Sequence, residues 1–176
     1  MADIIFLVLL ALHIGSIIGW MGGAILFISI VSPSLRKMTP PTRAEFVIST
    51  VPAYGRFIIG TSITGVVAGI LLFGYITSVQ PSLSPSSSGM VLIQAGAVLG
   101  LIVLILAFGV ILPTSRKLVS LAKQMKQAPN SPQPSTEANQ ITQQITNLQK
   151  RLNAGGGIGA ALLALTLVLM IIGTNI

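Results

Sequence analysis

The sequence predicts an all-α integral membrane bundle of four spanning helices, and three observations carry that prediction. The chain of 176 residues is 52% hydrophobic and only 7% charged, with a mean hydropathy of +0.90. Such values belong to membrane chains and not to soluble globular ones. Four stretches, 4–31, 57–77, 90–112 and 154–172, contain no charged residue, and each is close to or beyond the roughly 20 apolar residues that cross a bilayer. All ten Lys and Arg fall between the first and second or between the third and fourth stretches. We read one membrane domain over residues 1–176.

The first stretch follows "MAD" with no basic segment ahead of it and is too long for a cleaved signal, so it reads as a retained span. After it come Arg36, Lys37, Arg43 and Arg56; after the third stretch come Arg116, Lys117, Lys123, Lys126, Lys150 and Arg151. Basic residues collect on the cytoplasmic side of short loops. The expected orientation in the cell membrane is therefore both termini and the loop "TSVQPSLSPSSSG" outside, with the basic segments cytoplasmic. The net charge of +7 then follows from sorting, with some attraction to anionic lipid, and nucleic acid is not an expected partner. Zero cysteines exclude disulfides, iron–sulfur ligation and thioether haem attachment. One histidine excludes a closed zinc site within a chain.

The two halves resemble each other. The first span ends "VSPSLRKM" and the third "ILPTSRKL", so Pro-x-x-Arg-Lys recurs 80 residues on, from Pro33 to Pro113. A duplicated helix pair in parallel orientation is the expected origin. Rows of small residues at spacing four, Gly15, Gly19 and Gly23, then Gly65 and Gly69, Gly96 and Gly100, Gly155 and Gly159, predict close helix contacts in all four spans. Residues 114–152 read as a cytoplasmic helical hairpin extending spans three and four. Leu118, Leu121, Ala122 and Met125 face Ile141, Ile145, Leu148 and Leu152 at helical spacing, each stripe burying the other or docking a partner protein. The segments "APNSPQPST" and "SVQPSLSPSSSG" read as turn and flexible connector.

The candidate site lies in span one. His13 and Trp20, the only histidine and the only tryptophan, are seven residues apart and share a helix face within about 20°. Ser16 and Phe27 fall on that side, and the glycines on the other. The 80-residue offset puts His13 level with Ile93 and near Gln94, and Tyr75 ends span two at a similar height. An imidazole inside a membrane is a functional hypothesis by default. Three readings stand: a neutral His13 hydrogen-bonded to Gln94, Ser16 or a carbonyl and tying spans one and three; an axial ligand to a b-type haem lined by Trp20 and Phe27; or proton or metal-ion passage.

His-x6-Trp-x-Gly-Gly, as His13, Trp20, Gly22 and Gly23, followed by Pro33, Arg36 and Lys37, resembles the first helix of HemJ-type protoporphyrinogen oxidases. It is also similar to that of CopD-type copper-resistance membrane proteins. The first resemblance implies His13 as ligand to haem iron. It does not imply the oxidase activity, because that family carries a lysine early in its third helix where this chain offers Gln94. The second implies copper handling, with Met90 as the reachable second donor. The expectation is a haem b-binding membrane protein in electron transfer or haem handling. One histidine per chain makes a homodimer the expected form for bis-histidine iron, and the redox partner is open. The alternatives are a copper or small-solute permease and a non-catalytic assembly protein.

Overall fold

A computed structural model of the chain describes residues 3–79, 87–127 and 136–175. The turn and connector segments read from sequence lie mainly outside these. Four long helices make up the described fold: α1 Ile4–Lys37, α2 Pro40–Val79, α3 Ser88–Lys126 and α4 Thr136–Gly173. Each contains a stretch long and apolar enough to cross a bilayer. Asp3 caps α1 by accepting from the Ile5 N–H at 3.0 Å, and Ser87 caps α3 through the Met90 N–H at 3.4 Å. Met38 turns extended at ψ 148° and ends α1. Pro40 then opens α2, at the helix position where a missing N–H costs nothing.

The duplication is written into the backbone. Both α1 and α3 widen into a five-residue π-helical turn, at Phe27–Val31 and Ala107–Ile111, again 80 residues apart. The Ser32 N–H donates to the Phe27 carbonyl and the Leu112 N–H to the Ala107 carbonyl. Pro33 and Pro113 follow directly. A helical proline has no N–H to donate and crowds the carbonyl four residues back, here that of Ser29 or Gly109, and the wider turn relieves that crowding. The next hydroxyl bonds backward in each repeat, Ser34 Oγ to the Ile30 carbonyl at 2.8 Å and Thr114 Oγ1 to the Val110 carbonyl at 2.6 Å.

Around the bundle the order is α1, α2, α3, α4, with the broadest contacts within the α1/α2 and α3/α4 pairs. The pairs meet mainly where α2 crosses the second half of α3, and where α4 returns to α1. α1 and α3 are diagonal. The largest core lies at the basic end, where Leu35, Ala44, Val47, Val51, Leu118, Leu121, Ala122, Ile145 and Leu152 are buried together. Met125, Ile141 and Leu148 pack against it, so the two stripes read from sequence are covered. The hairpin expectation needs one correction. The first seventeen residues of α2, which precede the uncharged stretch 57–77, are helical and supply Ala44, Val47 and Val51 at a spacing of three to four; with Leu35 of α1, all four helices build this end.

α2 is 40 residues long, roughly 60 Å at about 1.5 Å per residue, and it therefore extends well past a bilayer core. A smaller cluster of Trp20, Val103 and Leu163 ties the pairs together among the apolar stretches. Ile5, Ile18, Ile70, Val98, Ile105 and Ile171 point outward, as lipid-facing residues do. Lys126 and Glu45 form a 3.2 Å ion pair with both side chains largely in solvent; such pairs contribute little.

Candidate functional site

His13 is partly buried in the α1/α2 seam. Its Nδ1–H donates to the Gly65 carbonyl at 2.7 Å, and the ring lies against Gly69, where an added Cβ would sit 2.6 Å from His13 Cε1. Ser16 packs on Gly65, 3.3 Å from the position of its missing Cβ. Gly19 and Gly23 meet Thr61, Phe57 and Ile58 of the same helix. The glycine side and the histidine side of α1 are therefore not separate surfaces, because α2 wraps both. Gly15, Gly22 and Gly100 face open space, so only part of each small-residue row makes contact. With Nδ1–H committed to Gly65, Nε2 is the ring nitrogen left to meet another partner.

Gln94 belongs to α3, diagonal to α1, so the expected tie from His13 to span three is replaced by one to α2. Tyr75 is at the Asp3 end, its hydroxyl donating to Asp3 Oδ2 at 2.6 Å and its ring 6.4 Å from Phe6. The six candidate residues thus fall into separate places. His13 and Ser16 lie in the seam, Tyr75 nearer the Asp3 end, and Gln94 on the far helix. Trp20 and Phe27 lie deeper, where they line a cavity with residues not anticipated from sequence.

That cavity sits between the two helix pairs. Its volume is about 80 Å³, and Trp20, Phe27, Tyr54, Ile58, Val103 and Phe108 are among its walls. Both π-helical turns reach it, one through Phe27 and Ile28, the other through Ala107, Phe108 and Ile111. Tyr54 stacks on Phe27, with ring centroids 4.8 Å apart and planes at 24°, and its hydroxyl donates to the Gly23 carbonyl at 3.1 Å. Gly55, Gly156 and Gly159 border the space, which their missing side chains help to keep open. The Ser62 hydroxyl facing this region is turned back onto the Ile59 carbonyl at 3.0 Å. The chamber is apolar and carries no charge. Tyr54 escaped the sequence reading because it precedes the uncharged stretch 57–77; the 3–4 spacing of Val47, Val51, Tyr54 and Ile58 is the signal that extends the helix back to it.

The residues can be tested against the groups expected from sequence. An apolar cavity of ~150 Å³ holds a benzene; 80 Å³ cannot hold a macrocycle many times larger, and His13 is not among the walls. No Lys or Arg lies in the Asp3 half to meet haem propionates, and the Ser87 side chain already uses one donor of the α3 N-terminus. A haem enclosed within one chain does not fit. For copper, no group of three or more His, Cys, Asp or Glu comes together among the described residues. Met90 is buried on α3, and Met21 packs against the Trp20 cluster. Compared with protein-family models, curated proteins and solved structures, the chain matches none.

Proposed function

We propose that the chain is a small-solute membrane carrier that receives an uncharged, compact molecule in the chamber between its helix pairs. One observation carries this reading: both π-helical turns, at equivalent positions in the two repeats, open onto the same cavity. Carriers built from repeats hold substrate near the repeat interface beside interrupted helices, and π-turns are frequent at functional sites. The aromatic and aliphatic walls select against ions, so a metal-ion cargo is the poorer match. Positive-inside sorting orients the basic end to the cytoplasm in a cell membrane.

Trp20 makes the reading testable, since the only tryptophan of the chain lines the chamber. In proteoliposomes, chloroform should quench its fluorescence saturably, and Ala24→Phe, which fills the space from α1, should abolish the saturable part. Quenching that rises linearly with chloroform in both proteins removes the carrier reading. For orientation, an impermeant maleimide added outside should label Thr174→Cys and spare Gln143→Cys; the reverse pattern inverts the topology.

A second reading rests on a different observation. With Nδ1 engaged by Gly65, the Nε2 of His13 has the lone pair that a haem iron takes, and a carbonyl partner on the other nitrogen is the usual support for such a ligand. A b-type haem would then lie outside the single-chain bundle, between two copies each contributing His13. Reduced-minus-oxidised spectra of protein purified without added haem decide it, and the absence of a Soret band discards it.

A further inference from the structure

The carrier reading leaves a set of polar atoms unexplained. Gln149 is only 8% exposed, yet its Nε2 has no hydrogen-bond partner, and neither has the buried Oδ1 of Asn153. The two lie one turn apart on α4. At about 100° per residue, Gln149, Asn153 and Gly156 occupy an arc of about 60°. Gly156 borders the chamber, and the position of its missing Cβ is 3.1 Å from Ile28 in the first π-turn. Leu152, between the two amides in sequence, borders the chamber as well. A donor and an acceptor are thus stationed on α4 within a turn or two of Leu152 and Gly156, which border the cavity on its basic-end side. Buried amide groups are nearly always paired, so a pair left open beside a cavity points to an outside partner.

We propose that Gln149 and Asn153 form the hydrogen-bonding end of the solute site, and that the cargo is a small neutral amide or a molecule of like polarity. Its apolar part enters the aromatic chamber. Its carbonyl accepts from the Gln149 Nε2, and its N–H or O–H donates to the Asn153 Oδ1. The inference rests on the carrier reading and narrows its substrate class. Neutrality follows from the absence of any charged side chain in the walls, and compactness from a volume about half that of a benzene-binding cavity.

Acetamide is the probe. In osmotic-shrinkage experiments on proteoliposomes of the full chain, the wild-type protein should raise acetamide permeability above that of protein-free vesicles. Gln149→Met/Asn153→Leu, which removes both amides without leaving a new unpaired group, should lower that increment at least fivefold. Asn153→Leu alone, with the more buried glutamine kept, should give a partial loss and serves if the double variant does not assemble. An unchanged increment in the folded variants overturns the proposal, as does a wild-type protein that gives no increment. The chloroform quenching of wild-type Trp20 separates the two ideas. If quenching saturates while acetamide is indifferent to the amides, the chamber stands and this assignment falls; if quenching never saturates, the carrier reading itself is gone.

Discussion

At the scale of single residues, the seam between α1 and α2 is held by an imidazole seated where a glycine has no side chain. Gly69→Val would place a Cβ inside contact distance of His13 and force the ring off the Gly65 carbonyl. The loss of one hydrogen bond plus the repacking should cost about 2–4 kcal/mol, read as a lower melting temperature in detergent. Gly100→Ala is the control. Nothing lies within 4 Å of its Cβ, and the better helix former should be neutral or stabilising by up to about 1 kcal/mol. At the Asp3 end, the Tyr75 hydroxyl and then the Ile5 N–H hold the Asp3 carboxyl below its usual value of 3.8. A carboxylate depressed in the folded state stabilises above its unfolded pKa and loses that contribution as pH falls through the folded one. The Asp3–Tyr75 clasp should therefore be intact at neutral pH and loosen only below about pH 4. In Tyr75→Phe, a carboxyl-carbon NMR titration should move Asp3 back toward the ordinary range. The sequence marked His13 as singular, because a lone imidazole stands out in an uncharged run. It did not mark the partner, since a backbone carbonyl on another helix leaves no trace in side-chain chemistry.

At the scale of elements, the duplication was legible as Pro-x-x-Arg-Lys, and the reason for it was not. A proline after an apolar run reads as a helix end or kink; only the backbone shows that the chain absorbs each one with an extra residue per turn. A π-turn is a local insertion that the flanking helix accommodates. Deleting Gly109 should therefore restore α geometry in α3 while leaving Leu118, Leu121 and Ala122 in the core. With Pro113 kept, the crowding that the turn relieves should return at about 3 kcal/mol, whereas the deletion combined with Pro113→Ala should melt within a few degrees of wild type and lose saturable Trp20 quenching as Phe108 leaves its wall. A collapse of stability in the double variant would make the widened turn a structural necessity. The glycine rows show the same limit of sequence reading. Spacing of four identifies faces able to approach, whereas the neighbour that takes the offer depends on the arrangement of all four helices.

At the scale of the whole molecule, the number, apolarity and charge sorting of the helices were all visible in sequence, because hydropathy is a sum over many residues and tolerates local error. The part of the basic end that α2 supplies was not, because residues 40–56 mix polar and apolar side chains at a density that hydropathy averages away. Their 3–4 spacing is what buries Ala44, Val47 and Val51. This region should dominate stability. Leu118→Ala, at a side chain only 1% exposed, should cost about 2–5 kcal/mol. Ile105→Ala, on a residue 69% exposed toward lipid, should fall near zero. Thermal unfolding in one detergent compares the two directly.

In the proposed orientation that leucine- and valine-rich core stands beyond the hydrocarbon, which has a mechanical consequence. Lateral pressure from acyl chains is not what keeps the four rods together there; water is, by rejecting their inner faces. Stripping the lipid should accordingly loosen the molecule from the Asp3 end first. Deuterium uptake in micelles should then form a gradient, fast near Tyr75 and slow near Leu118.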